Sequence, residues 1–199
     1  MFGLKRNILP VQTYGARVLK TVAAPVVGVT PEIRKMAEQM VETMFAFDGI
    51  GLAAPQVGSS LRLIVLGLPN KLPRDYVPSP GEMELLPLMP LALINPVLVS
   101  SGGKMVTQEE GCLSVPEIWA EVERPEQVVV RMEIIDHGPV VVACGGLLAR
   151  CLQHEMDHLD GKLFVDRLKP AVMDEVKPQL DVLYRDGEAR QFRRGGRRV

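Results

Sequence analysis

The stretch Cys151-Leu152-Gln153-His154-Glu155-Met156-Asp157-His158-Leu159-Asp160-Gly161 decides how this chain is read. His154 and His158 stand four apart, so on a helix both imidazoles leave one face and can grip a single metal ion. Glu155 lies beside them, placed to handle a proton, which completes an H-E-x-x-H pattern. Leu147, Cys151, His154 and His158 follow a helical rhythm, so the metal face continues an apolar stripe and is expected to point inward, into a dry, walled pocket. Two surface histidines that happen to share a face are the plain alternative. The chain has three histidines, and two of them fall in this pattern with Glu155 correctly set, which favours the metal.

A catalytic site of this type takes three protein ligands and keeps one position for water, so a third ligand is needed. Upstream, Glu109-Glu110-Gly111-Cys112-Leu113-Ser114-Val115-Pro116 offers Cys112, which a metal would hold as thiolate. Cys144 and Cys151 read as small buried hydrophobes, Cys151 as pocket wall one turn before His154. Two rival classes stay open on the residues alone. A zincin-type endopeptidase would draw its third ligand from Asp166, Asp174 or Glu175. A non-catalytic metal-binding or RNA-binding module would close a four-ligand site by turning Cys151 to the metal.

Further out, Thr30-Pro31-Glu32 supplies an N-cap, a proline at the first helical position and a first-turn acid, which predicts a helix from residue 31 to about 47. Its methionine-rich stripe is ordinary core. Asp48-Gly49 breaks that helix, and Gly49-Ile50-Gly51-Leu52-Ala53-Ala54-Pro55-Gln56 follows as a backbone that a ligand can approach closely. Residues 61–66, 91–99 and 105–109 read as strands, the second interrupted by Asn95-Pro96 at an edge or bulge. Residues 127–135 and 140–143 read as an antiparallel pair across a turn that leaves His137 on the surface. Residues 8–27 read as an irregular arm. Pro69, Pro73, Pro78, Pro80, Pro87 and Pro90 punctuate a stretch expected to be a long loop without regular structure.

With 199 residues, 47% hydrophobic content and a net charge of -1, the chain has enough to build a full core. The near-neutral total argues against DNA binding by bulk charge, no apolar run approaches a membrane span, and the opening residues are too short and polar for a signal peptide. Three cysteines without a framework pattern fit a reducing compartment, so a cytoplasmic location is expected.

The segments Gly49-Ile50-Gly51-Leu52-Ala53-Ala54-Pro55-Gln56, Glu110-Gly111-Cys112-Leu113-Ser114 and Gln153-His154-Glu155-Met156-Asp157-His158, in this order, resemble the three signature motifs of the peptide deformylases. The similarity runs from about Ile8 to Leu168. It implies a metal-dependent hydrolase that removes the formyl group from the N-terminal formyl-methionine of new polypeptides, releasing formate. The resemblance places the metal ligands at Cys112, His154 and His158 and the general base at Glu155. It assigns the Gln56 amide and the Leu113 backbone N–H to the formyl oxygen, and the Gly51 backbone to the substrate peptide. Ile50, Glu110, Leu147, Arg150 and Cys151 fall at positions around the methionine pocket, and Arg124 matches an arginine usual in the family. Ferrous iron is the implied native metal, with zinc, nickel or cobalt able to take its place; Cys and His suit several of these ions. Formyl-methionyl nascent peptides are the implied partners.

The chain departs from the family pattern in places. Ala16-Arg17 stands where Asp-Pro is usual, and residues 69–90 run longer than in the shortest members. Trp119 replaces an arginine that in many relatives helps hold the peptide. Arg150 replaces a frequent aliphatic, which sets a charge at the pocket rim. The expected fold is α+β: antiparallel β-sheets packed around a central H-E-x-x-H helix, with an N-terminal and a C-terminal helix. Residues 1–168 form the catalytic domain, and residues 169–199 extend it. In that extension Val172, Val176, Leu180 and Leu183 predict an amphipathic helix ending near Gly187 and kinked or split at Pro178. Arg190, Arg193, Arg194, Arg197 and Arg198 make a basic tail, either solvated and disordered or in salt-dependent contact with ribosomal RNA.

Overall fold

The computed structural model describes residues 7–69 and 76–195, from residue 188 onward by backbone alone. The readings for residues 1–6, for Pro73 and for the arginine side chains of the basic tail lie outside the described residues. One five-stranded antiparallel sheet runs in sequence order: β1 (Gly51–Ala53), β2 (Leu63–Leu66), β3 (Leu91–Cys112), β4 (Val115–Ile134) and β5 (Gly138–Cys144). The strands expected at 91–99 and 105–109 are one strand, β3. Asn95 has φ 51°, and the register shifts between Ile94 and Val97, as expected where Pro96 has no N–H to give the ladder. β4 and β5 pair across the predicted turn, and His137 is exposed there.

Helix α1 (Pro31–Ala46) begins where Thr30 accepts a hydrogen bond from Ile33 N, and ends ahead of Asp48, whose φ is 54°. Its buried Met40 and Met44 pack with Leu52, Leu63 and Val65, a burial of roughly 1.5–3 kcal/mol per side chain. Helix α3 (Gly146–Leu159) is the H-E-x-x-H helix. Leu148, Leu152 and Leu159 join Ile64, Leu66, Leu93 and Val130 in the core on one of its faces. The histidine-bearing face is left to the site. No helix among the described residues is long and apolar enough to cross a membrane.

Two expectations are corrected. The proline-rich stretch is not wholly irregular: it holds α2 (Pro80–Leu85) and a short 3-10 turn, Leu86–Leu88. Ser79 and Glu82 close a capping box around Pro80 at the first helical position, so this proline starts a helix instead of breaking one. The C-terminal helix α4 (Pro170–Gly195) continues through Pro178 and past Gly187. Pro178 and Asp174, whose carbonyl loses its donor, are both exposed, so water can take that bond. Gly187 serves a close approach and not a helix end: a Cβ there would lie 2.1 Å from the Tyr14 carbonyl oxygen. Farther up, Leu180 packs into the cluster of Val115, Ile118, Val122 and Phe164.

Candidate active site

Two segments converge on α3. The β3–β4 hairpin brings Cys112 to the histidines, and the short helical turn after β1 brings Gln56. Cys112 Sγ lies 3.3 Å from His158 Nε2, and one ligand atom each from Cys112, His154 and His158 fall within 4.8 Å of one another. The two imidazole rings are 5.1 Å apart, and Phe164 stacks on His154. Around a tetrahedral ion with bonds of about 2.0–2.3 Å, donors sit about 3.5 Å apart, so the cluster has the right size.

The surroundings fit a cation as well. His154 Nδ1 is 2.9 Å from Glu110 Oε2, a carboxylate that can only accept, so Nδ1 carries the proton and Nε2 is left to the cluster. Burial alone would lower the His154 pKa; the bonds to Cys112 and Glu110 outweigh it and bring it to about 10. Cys112 and Glu110 thus favour positive charge at His154, and a metal bound there would have to displace the proton from Nε2. Burial, with His154 adding, pushes His158 well below its ordinary value, so it stays neutral as a ligand must.

Glu110 is buried and anchors the arrangement. It accepts from Arg124 Nε at 2.6 Å and Nη2 at 2.9 Å, from Arg150 Nη1 at 2.6 Å and from His154. Burial would raise its carboxyl, but the Arg124 and His154 bonds hold it far below the usual range. Arg124, 1% exposed, reaches Asp157 Oδ2 at 2.8 Å with its other nitrogen, and Asp157 is also bound by Arg167.

Glu155 is 4% exposed, and its Oε2 has no partner among the described residues. Burial raises its pKa to about 7, opposed by His154 and supported by Glu110. Such a carboxyl can take and give a proton near neutrality. Gly51 is the neighbour that leaves it room: a Cβ there would stand 2.4 Å from Glu155 Oε1. Gln56 is oriented by accepting from Ala53 N at 2.7 Å, and its Nε2 points at Cys112 Sγ, 3.3 Å away.

A cavity of about 940 Å³ opens onto this cluster. Ile50, Leu113, Leu147, Arg150, Cys151 and Trp119 are among its lining residues. Leu147 does not point inward as the stripe suggested; at 44% exposed it stands at the mouth. Arg150 does not leave a free charge at the rim, because its guanidinium is turned to Glu110 and to the carbonyls of Val106 and Val122. Cys151 Sγ points to the Ile50 carbonyl and stays out of the cluster, and burial keeps its thiol protonated. Asp166 is paired with Lys20, and neither Asp174 nor Glu175 joins a ligand group among the described residues. Both rival readings thereby lose their extra ligand. Asp157 and Arg167 were not legible beforehand, and neither was the part Glu110 plays as hub.

Comparison with known proteins agrees with this geometry. Residues 8–173 match the family model described as polypeptide deformylase. Peptide deformylase 2 of Gloeobacter violaceus is 44% identical over 177 residues, 89% of this chain and 87% of that protein. The peptide deformylase of Acinetobacter baumannii is 40% identical across 91% of this chain and 94% of its own. Among solved structures, the peptide deformylase of Synechococcus elongatus superposes with a TM-score of 0.76 at 40% identity, covering 89% of this chain and 88% of that one. The chain belongs to the polypeptide deformylase family, metal-dependent hydrolases that remove the N-formyl group from nascent peptides.

Proposed function

We propose that the chain deformylates formyl-methionyl nascent peptides in the cytoplasm with Cys112, His154 and His158 holding one divalent metal, ferrous iron in the native enzyme. Zinc, nickel or cobalt would suit the same thiolate and imidazoles. The observation that carries the reading is the three-ligand cluster beside the buried, half-unpartnered Glu155. A metal bound there lowers the pKa of a water and polarises a carbonyl oxygen. Glu155 takes a proton from the water whose oxygen adds to the formyl carbon. The same carboxyl gives that proton to the peptide nitrogen as the C–N bond breaks, so formic acid, which loses its remaining proton to water as formate, and a free amine leave. Gln56 Nε2 and the Leu113 N–H donate to the formyl oxygen as its charge develops, and the Gly51 backbone lies along the peptide. Ile50, Leu147 and Cys151 give the methionine side chain an apolar place, and Glu110, clamped by Arg124 and Arg150, orients His154.

The test is formate release from a formyl-Met peptide by anaerobically prepared, iron-loaded protein, beside Gln56→Ala. The wild type is expected to turn over, and the variant to lose about 10²- to 10³-fold in kcat, the usual loss for one oxyanion donor. Absence of turnover by folded, metal-loaded wild type overturns the activity, and an unchanged kcat in the variant overturns the role of Gln56.

Residues 1–168 act as the catalytic domain and 169–199 as its extension, a reading supported by Leu180 packing against β4. The basic tail, which begins within the last turns of α4, contacts ribosomal RNA. Removing residues 188–199 is expected to weaken co-sedimentation with ribosomes at low salt and to leave hydrolysis of a short formyl peptide unchanged. Equal co-sedimentation would remove the tail from that role.

A further inference from the structure

Leu147 and Arg150, on the first turns of α3, form a wall one side chain thick. The site cavity lies on one side of it. A second cavity, of about 980 Å³, lies on the other, between the segment around α2 and the β3–β4 ribbon, and both residues line it too. Leu148, Ala149 and Cys151 hold the other faces of these turns in the core, but a cavity lies on either side of Leu147, so packing does not hold that side chain in place. Arg150 is pinned by its own hydrogen bonds. Leu147 is the part of the wall that depends on something else.

That something is polar. The α3 N-cap, Gly145, has no side-chain cap of its own, and its N–H donates to Ser79 Oγ at 2.9 Å. Glu82, 2% exposed, accepts from the Ser79 hydroxyl at 2.8 Å, from Ser79 N at 2.9 Å and from the Tyr76 hydroxyl at 2.8 Å. The Tyr76 oxygen rests on Gly146, where a Cβ would come within 1.9 Å of it and 3.0 Å of Glu82 Oε1. A buried carboxylate thus sits at the positive end of α3, bonded from the inserted segment, directly behind the residue before Leu147. Burial and Glu82 push the Tyr76 phenol up to about 12, so it remains a donor through the ordinary pH range. No step of the hydrolysis uses these three residues.

We propose that Tyr76, Ser79 and Glu82 are positioning residues: they latch the start of α3, fix the Leu147 wall, and so set which N-terminal side chains the site admits. The proposal rests on the deformylase reading of the site. With the latch closed, the pocket has a fixed depth. With it open, the wall can yield into the second cavity, so methionine is held less well and a bulkier side chain is penalised less. His154, Glu155 and His158 lie further along the helix and Cys112 lies on β3, so all four keep their places.

The experiment compares wild type, Tyr76→Phe, Gly146→Ala and the double variant, full-length and metal-loaded, on formyl-Met and formyl-Phe tripeptides. In each single variant KM for the formyl-Met peptide is expected to rise about 3- to 10-fold with kcat within about twofold, from losing a bond to a charged group. The ratio of kcat/KM for formyl-Phe over formyl-Met is expected to rise. The double variant is expected to be no worse than Gly146→Ala, since the alanine, strained at φ 54° with either residue at position 76, already displaces the hydroxyl. An unchanged ratio in both single variants, a loss confined to kcat, or additive effects would each overturn the proposal. Amide exchange at Leu147–Arg150 reads the latch independently of activity: faster exchange in Tyr76→Phe supports it, and equal exchange overturns it. A wild type inert on both peptides counts against the deformylase reading instead.

Discussion

Glu155→Gln is expected to lower kcat by about 10² to 10⁴ while fold and metal stay in place. Glutamine keeps the shape and can still donate, but it cannot accept the proton of the attacking water. The acid limb of the pH profile follows from the same group. On the proposed mechanism activity requires the carboxylate, so kcat/KM should rise with pH through the Glu155 ionisation. Burial sets that at about 7 with no cation present, and a divalent cation on the neighbouring ligands favours the carboxylate, so the limb belongs at or below about 7. In the variant the limb should vanish along with the rate. Stability moves the other way. A carboxyl whose folded pKa is raised loses its stabilising contribution as pH rises through that value, and Glu155 Oε2 is buried without a partner among the described residues. At pH 8 the metal-free variant should therefore melt no lower than metal-free wild type. A variant that keeps more than a tenth of wild-type kcat, metal content being equal, would remove Glu155 from the proton transfer.

What the sequence made legible was local. His154 and His158 are one helical turn apart with Glu155 between them, and Thr30-Pro31-Glu32 carries its own start signal, so spacing alone placed them. Strand content was legible too, though β3 hides its continuity behind Asn95-Pro96, where a bulge absorbs the break. The misreadings share a cause: they turned on which distant partner a residue finds. Pro80 and Pro178 looked like breakers because the bonds that excuse them, a capping box and solvent, are matters of context. Ser79-Pro80-Gly81-Glu82 did carry a readable capping signal, outweighed by the prolines around it. Arg150 looked like a rim charge because Glu110, forty residues earlier, and two strand carbonyls were not predictable partners. The same holds for the Arg124 contact with Asp157 across 33 residues. Charge partnerships over such separations are set by how β4 crosses α3, which no periodicity encodes.

That buried network carries the largest expected effect on stability. Arg124→Met keeps most of the volume and removes the charge between Glu110 and Asp157, both nearly inaccessible to water. Arg150 and His154 still face Glu110, and Arg167 still faces Asp157, so neither carboxylate is wholly abandoned. Each loses its central partner, however, and breaking a buried pair from one side costs about 3–5 kcal/mol. For a chain of this length that corresponds to a fall of roughly 6–20 °C in the thermal midpoint. Acidity gives the discriminating readout. Glu110 is held far below its ordinary range, chiefly by Arg124 and His154 against the cost of burial. A group depressed in this way stabilises the fold above its unfolded pKa, about 4.3, and loses that contribution as pH falls below it. Wild type should thus lose stability steeply on acidification from about pH 5 to pH 3, and Arg124→Met should show a flatter slope over the same window in urea denaturation. The coupling to the site follows from the hydrogen bond between Glu110 and His154. With Glu110 less firmly held, His154 is less well oriented, and metal affinity should fall by about 10- to 100-fold in whatever fraction stays folded. Equal urea midpoints at pH 7 for the two proteins would show that Arg150 and Arg167 suffice to balance the two acids, and that Arg124 does not support the ligand it stands behind.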